Sequence, residues 1–354
     1  MRIILVGGGT SGHINPALNI AEYIKSVDKN SEILYVGSKS GMEVELSKSA
    51  SLDFEGITVS GFSRKCNLES VKKNIISIKN IIISSFESRK ILKRFNPDVC
   101  IGTGGYVMGS FLYSAYLLGI PFVIQEQNSI PGLTTKILAR YAKSIFLGNE
   151  DAQKYLKNKN CIVTGNPIKS NFHSISKEEA KRNLGINNNL PVILSFGGSL
   201  GSSVINNIIL EVMNTKRYNH IHGYGKNNKD FKCNFNDYPL VKEYIDNMPE
   251  CMAACDLIIC RSGAMTLSEL ATLGKPAILI PSPNVTNNHQ YHNAISYSKK
   301  YTASVIQEKD LTSQKLISEI ENLLSCKNII SPMINNACEQ IWNNLVSSYP
   351  TTCS

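Results

Sequence analysis

The sequence predicts an α/β protein of two Rossmann-like domains facing one cleft, each a parallel sheet wound with helices. Three observations carry this reading. Short apolar runs alternate with segments of helical period, the pattern of repeated βαβ units. The apolar run Ile3-Ile4-Leu5-Val6 enters Gly7-Gly8-Gly9-Thr10-Ser11-Gly12-His13, and an amphipathic helix leaves it. A joint of the same kind recurs in the second half, where Val192 to Phe196 leads into Gly197-Gly198-Ser199-Leu200-Gly201-Ser202.

In order along the chain, the first helix has Ala17, Leu18, Ala21 and Ile24 at helical spacing, with Pro16 tolerated in its first turn. Strands are expected near 2–6, 32–36, 54–59, 98–101, 121–124, 144–147 and 161–164. Gly165-Asn166-Pro167 is turn chemistry and closes the first domain, 1–164. The second domain, 165–330, opens on a helix near Lys177 to Leu184. Its strands are expected near 192–196, 219–223, 239–243, 256–259, 277–280 and 303–305, and the polar stretch Gly225 to Asp237 reads as a loop. A helix at about 312–325 precedes a last one at 331–348, within a terminal segment 331–354. That helix carries Ile341, Leu345 and the only tryptophan, Trp342, and is expected to cross back onto the first domain.

With 354 residues and 42% hydrophobic content, the chain has enough apolar material for two cores and is not of disordered type. It opens directly on a strand, unlike a signal peptide, and no run approaches the ~18 apolar residues of a membrane span. Ten cysteines are scattered without disulfide spacing, and Cys251, Cys255 and Cys260 lack zinc spacing. They read as reduced cytosolic thiols. Net charge is +9 and uneven: Arg64 to Arg94 holds nine Lys and Arg against two Glu, a local +7. The same stretch holds Ile75, Ile78, Ile82 and Phe86 beside Lys72, Lys73 and Lys79. Apolar surface ringed by cations reads as a patch for an anionic membrane surface. The alternative is a core helix with a solvated basic face. Nucleic acid is disfavoured, since aromatics for base stacking are few.

In such sheets ligands sit beyond the C-terminal strand ends. Three glycine-bearing or polar stretches should line one rim there: Gly7 to His13, Gly102-Thr103-Gly104-Gly105-Tyr106, and Gln125-Glu126-Gln127-Asn128. Gly7, Gly9 and Gly12 fit G-x-G-x-x-G, but the next strand runs into Gly37-Ser38-Lys39-Ser40 without the acid a dinucleotide ribose needs. A tight turn without ligand is the bland alternative; His13, titratable at the mouth of an anion site, favours chemistry. In the second domain, Gly197 to Ser202 and the helix opening at Arg261-Ser262-Gly263-Ala264-Met265-Thr266-Leu267-Ser268-Glu269 are two further anion-binding N-termini. Glu269 is placed to accept two adjacent hydroxyls. Asn287-Asn288-His289-Gln290-Tyr291-His292-Asn293 is dense in groups that read sugar hydroxyls, or else is a polar cap. No D-x-D occurs, so a diphosphate here is expected to be met by N–H groups, helix ends, Lys169 and Arg261, with no metal and no cofactor.

GGGTSGH at Gly7 to His13, Gly104-Gly105-Tyr106-Val107, QEQN at Gln125 to Asn128, Gly165-Asn166-Pro167, GGSLGS, CRSGAMTLSE and NNHQYHNA occur in one order from Ile3 to about Asn293. Together they closely resemble the MurG family, bacterial GT-B enzymes that add N-acetylglucosamine to lipid I. The resemblance implies inverting, metal-free transfer from UDP-N-acetylglucosamine to the C4 hydroxyl of the muramoyl unit, at the cytoplasmic face of the cell membrane. It also implies contact with other cell-wall synthesis and division proteins. By position, Thr10, Ser11 and Gly12 would lie over the diphosphate and sugar, and Asn128 and Gln290 at the sugar. Ser199 would lie at the phosphates, Ile245 at the uracil and Glu269 at the ribose. Gly104, Gly105 and Tyr106 would meet the lipid acceptor. Two departures stand out: Leu200 replaces a side-chain donor, and Lys169 stands where many members have Arg. His13 is the first choice for the base that deprotonates the acceptor hydroxyl, and Glu126 the second; donation from His13 to an acceptor phosphate stays open. A related glycolipid synthase with a diacylglycerol acceptor, a non-catalytic sugar-nucleotide-binding subunit and a UDP-N-acetylglucosamine epimerase are the rivals.

Overall fold

The computed structural model describes residues 1–61, 68–157, 160–169, 175–326 and 332–349, with the backbone alone for 68–73. The chain forms two compact units, Met1–Ile168 with Asn335–Ser354, and Lys169–Ile334.

The first unit has strands β1 (Arg2–Gly7), β2 (Glu32–Ser38), β3 (Asp53–Ile57), β4 (Val99–Gly104), β5 (Phe122–Glu126), β6 (Ile145–Leu147) and β7 (Cys161–Val163). All neighbours pair in parallel, in the order β3-β2-β1-β4-β5-β6-β7. Parallel strands are covered on both faces, so they read as continuous apolar runs. The alternation of side chains still divides them. Ile4, Val6, Val36 and Ile124 pack under α3 (Leu68–Phe95) and α4 (Gly105–Leu117), with Leu92 and Phe111. Ile3, Leu5, Tyr35 and Ile101 pack on the other face under α1 (Ser11–Val27), with Ile14, Ala17 and Ile20. The short helices α2 (Glu43–Ser49) and α5 (Leu133–Leu138) complete the winding.

The second unit repeats the plan with strands β8 (Val192–Phe196), β9 (Asn219–Gly223), β10 (Val241–Lys242), β11 (Leu257–Cys260), β12 (Ala277–Leu279) and β13 (Ala303–Val305). They run parallel in the order β10-β9-β8-β11-β12-β13. Its helices are α6 (Lys177–Asn183), α7 (Ser203–Met213), α8 (Met248–Ala254), α9 (Ala264–Leu273), α10 (His289–Ser298) and α11 (Ser313–Ser325). Residues 225–237 form no helix or strand.

The last helix, α12 (Ala337–Ser348), belongs to the first unit, where Ile341 and Leu345 are fully buried beside α1. It starts at Ala337 rather than at 331: Asn335, one residue before the N-cap Asn336, accepts from Ala337 N through its side-chain oxygen at 3.2 Å, and its amide donates to Asn166 O at 3.0 Å. The same contacts move the unit boundary past 164. Asn335 holds Asn166, and Asn19 Nδ2 donates to Pro167 O at 2.9 Å, so the whole turn stays with the first unit.

Strand β9 buries two imidazoles on one face, His220 and His222. His220 sits edge-on between Tyr218 and Tyr238, and neither of its ring nitrogens has a partner among the described residues. Burial in this apolar surrounding pulls both pKa values down to about 4. The unfolded chain, with ordinary histidines near 6.5, then binds more protons than the folded one between about pH 6.5 and 4. Stability is full above that window and falls as pH drops through it, by roughly 3 kcal/mol per histidine at the acid end. We predict that His220→Phe melts at the same or higher temperature at neutral pH and loses less stability on acidification, in thermal unfolding followed across this range.

Candidate active site

Strands β1, β4 and β5 are neighbours, and their C-terminal ends bring three loops together. Gly7 to His13 follows β1. Gly9 has φ +86°, and α1 begins at Ser11 after Thr10, whose side chain makes no cap. The loops interlock at glycines. Gly104 and Gly105 have φ +124° and +84°; a Cβ on Gly105 would lie 2.3 Å from Gly8 O. A Cβ on Gly104 would lie 2.3 Å from His13 Nδ1, so the imidazole rests flat against this glycine. Thr103 Oγ1 donates to His13 O at 2.7 Å. His13 is half-buried, Thr10 exposed, and Tyr106 exposed at the start of α4.

Below the imidazole lies a buried amide cluster. His13 Nδ1 is 3.1 Å from Gln127 Oε1. Gln127 Nε2 donates to Thr103 O at 2.8 Å, to Gln125 O at 3.1 Å and to Gln125 Oε1. Gln125 Nε2 donates to Asn166 Oδ1 at 2.9 Å, and Asn166 Nδ2 to Gln127 O at 3.2 Å. Turn chemistry explains Gly165, at φ +80°, but it had missed Asn166 as the hub of this cluster. Two amides at i and i+2 on a buried strand end were the available signal.

Glu126, expected as a hydroxyl acceptor or second-choice base, is engaged within its own loop. One carboxylate oxygen accepts from Asn128 N and Nδ2, both at 3.1 Å, and the other from Gly132 N at 3.2 Å. The side chain is buried and shapes its own loop, holding Asn128 in place.

In the second unit, β8, β11 and β12 are adjacent, and the loops after them carry the expected donor residues. Gly198 and Gly201 take φ +91° and +81°. Ser202 caps α7, and Ser199 lies half-buried in the turn before it. Leu200 is 55% exposed and offers no polar atom from its side chain. Ile245 is buried against Gly223 at the end of β9. Helix α9 begins after Gly263, which has no side chain to cap it. Met265 and Leu267 pack into the core, while Ala264, Thr266 and Ser268 stay partly accessible.

Arg261 is not a free phosphate cation. Its guanidinium donates to Ile280 O and Pro281 O at 3.2 Å, to Ser202 Oγ at 2.7 Å, and pairs with Glu308. It therefore locks the three loops to one another. Glu308, 47 residues away in sequence, was not anticipated. Lys169 is exposed. Glu269, in the second turn of α9, has its pKa pushed up to about 7 by burial, opposed by the charge of Lys169. Gln290 turns its side-chain oxygen to Ser282 N at 2.9 Å and accepts from Ser262 Oγ through its carbonyl at 2.8 Å. Asn293 is buried one turn on.

On α3, Ile75, Ile78, Ile82 and Phe86 form one exposed stripe at spacings of three and four residues. Lys79 is exposed beside it. Lys72 and Lys73 lie outside the residues whose side chains are described.

The N-terminal domain profile of glycosyltransferase family 28 matches residues 3–147, and the C-terminal domain profile matches residues 192–345. A protein of Acetivibrio thermocellus named UDP-N-acetylglucosamine–N-acetylmuramyl-(pentapeptide) pyrophosphoryl-undecaprenol N-acetylglucosamine transferase is 40% identical, over 95% of this chain and 93% of its own. One of the same name from a Thermoanaerobacter species is 42% identical, over 95% and 94%. Among solved structures, MurG of Acinetobacter baumannii superposes with a TM-score of 0.72 at 24% identity, over 98% of this chain and 99% of that one. With two parallel-sheet units in GT-B order and relatives matched over nearly their whole length, the chain belongs to glycosyltransferase family 28 and, within it, to the MurG N-acetylglucosaminyltransferases.

Proposed function

We propose that this chain moves N-acetylglucosamine from UDP-N-acetylglucosamine to the C4 hydroxyl of the muramoyl unit of undecaprenyl-diphosphate-linked lipid I, giving lipid II and UDP in peptidoglycan synthesis. The 40–42% identity to transferases of that name over almost the full chain carries the reading. In the step we assign to it, His13 takes the proton of the acceptor hydroxyl as its oxygen attacks the anomeric carbon. The bond from that carbon to the β-phosphate oxygen breaks, its electron pair leaves with UDP, and the configuration inverts. His13 is favoured over Glu126 because both carboxylate oxygens of Glu126 already accept N–H groups of their own loop. We assign the diphosphate to Ser199, the N–H groups of the Gly197 to Ser202 loop, the start of α9 and Lys169. Glu269 is assigned to the ribose, Ile245 to the uracil, and Gln290 and Asn128 to the sugar. Thr10, Ser11 and Gly12 are assigned to the diphosphate and sugar, and Gly104, Gly105 and Tyr106 to the acceptor.

The test is UDP release from UDP-N-acetylglucosamine in EDTA, with and without a short-chain lipid I analogue. Release only with the analogue, coupled to a product one N-acetylglucosamine heavier, is expected; donor binding without release overturns the reading. In the same assay His13→Ala should lower kcat on the order of 10²–10⁴-fold with donor affinity little changed.

The raised pKa of Glu269 gives a second prediction. As a carboxylate it accepts two hydroxyls; protonated, it loses acceptor capacity. UDP affinity should therefore rise as pH increases through about 7 and level off above it. Titration calorimetry across that range should show the rise for the parent protein and a flat profile for Glu269→Gln.

The exposed stripe on α3 supports a membrane-facing role, peripheral and at the cytoplasmic face. No helix among the described residues is long and apolar enough to cross a membrane. Ile82→Ser with Phe86→Ser removes two side chains that are 57% and 69% exposed, so the fold should keep its melting temperature. Binding to anionic phospholipid vesicles should fall at least about tenfold, in line with the apolar area lost.

A further inference from the structure

Gln127 is the one member of the cluster under His13 whose amide direction decides what the imidazole can do. Three main-chain carbonyls, which accept hydrogen bonds and never donate, set that direction. Asn166 Nδ2 faces Gln127 O, so Asn166 presents its oxygen to Gln125. Gln125 must then donate to Asn166 and present its own oxygen to Gln127. Gln127 meets that oxygen, together with Thr103 O and Gln125 O, through its NH₂ group. Reversing any one amide sets oxygen against oxygen, or NH₂ against NH₂, in a site where Gln125, Gln127 and Asn166 are all 4% exposed or less. An unmatched polar group there is costly. Gly148 leaves the room the hub needs: a Cβ in its place would stand 1.9 Å from Asn166 Oδ1.

With that polarity fixed, the atom turned toward His13 Nδ1 is an oxygen, and Nδ1 must carry the hydrogen. We infer that Gln127 is a positioning residue that holds neutral His13 in its Nδ1–H form, so that the lone pair available for proton abstraction is on Nε2. Gly104 completes the arrangement, since its bare Cα lets the ring lie flat where a side chain would displace it. The amide does this without charge. A carboxylate in the same place would favour the protonated imidazolium, which has no lone pair to offer. The role in turnover rests on His13 being the base; the tautomer itself does not.

The experiment is long-range ¹H–¹⁵N correlation on the full chain labelled at its six histidines, at a pH where the rings are neutral. The His13 signals are identified by their loss in His13→Ala. A pyrrole-type Nδ1 and a pyridine-type Nε2 are expected in the parent protein, and a pyrrole-type Nε2 overturns the proposal. Gln127→Met should shift His13 toward the other tautomer and lower kcat about tenfold or more, with KM for the donor unchanged. A parent-like tautomer and a parent-like kcat in that variant also overturn it. The parent spectrum stands even where Gln127→Met fails to fold. Full turnover by His13→Ala would sink the base assignment alone, and the spectrum separates that failure from this one.

Discussion

A main-chain carbonyl accepts hydrogen bonds and never donates them, and the rim of the first sheet is built on that asymmetry. Thr103 O, Gln125 O and Gln127 O lie at the ends of β4 and β5, and buried side-chain amides donate to all three. Each of those amides has two unlike ends. Satisfying one end dictates what the other must meet. The direction passes from Asn166 through Gln125 to Gln127 and ends at the imidazole. The turn at Gly165 to Pro167 therefore does more than end a domain: held by Asn19 and Asn335, it anchors the far end of the chain that orients the candidate base.

Glycine has a matching part in both units. Parallel strands deliver their loops to one edge, and the loops must pass within contact distance of each other. Gly105 sits against Gly8 O, and Gly201 against Tyr224 O, at separations where any Cβ would collide. The helix starts differ in how they are capped: Ser202 caps α7 with its side chain, while Gly263 leaves α9 without one. In the second unit the one arginine at this edge is drawn into structure by Glu308, Ser202 and two carbonyls. At the proposed diphosphate site, positive potential then comes from Lys169 and from helix ends and backbone, which are pre-oriented and need no side-chain ordering.

This explains what could be read from the chain and what could not. The strands, the glycine joints and their sheet-edge placement follow from local pattern, because apolar runs, turn residues and helix starts are short-range signals. His13 was legible as a candidate base because it is titratable and follows a glycine loop. The engagement of Arg261 was not legible for a physical reason: its partner Glu308 arrives from a turn beyond β13, and no local rule announces it. Glu126 looked available for the same reason, since its partners are backbone N–H groups of a loop whose path sequence does not specify. Gln127 was visible as part of a motif, yet its task depends on the register of β4 beside β5 and on an asparagine 39 residues away.

Helix α3 carries the same lesson to the surface. A helix rich in isoleucine ordinarily turns that face inward. Here the inward row includes Ser77, Ser84 and Ser88, whose hydroxyls donate to Gly61 O, Ile81 O and Ser84 O, while the isoleucine stripe stays in solvent. Serine on the inner row lets α3 sit close over the sheet without an unsatisfied hydroxyl. Deeper anchoring comes from Ile91 and Leu92 toward its end. Periodicity alone finds such a helix but does not say which face is inside, because that depends on the space the neighbouring elements leave. Exposing the larger residues works against folding in water, so a surface of this kind gains most where another apolar phase meets it. Under the proposed membrane-facing role, the basic residues along the helix favour an anionic one.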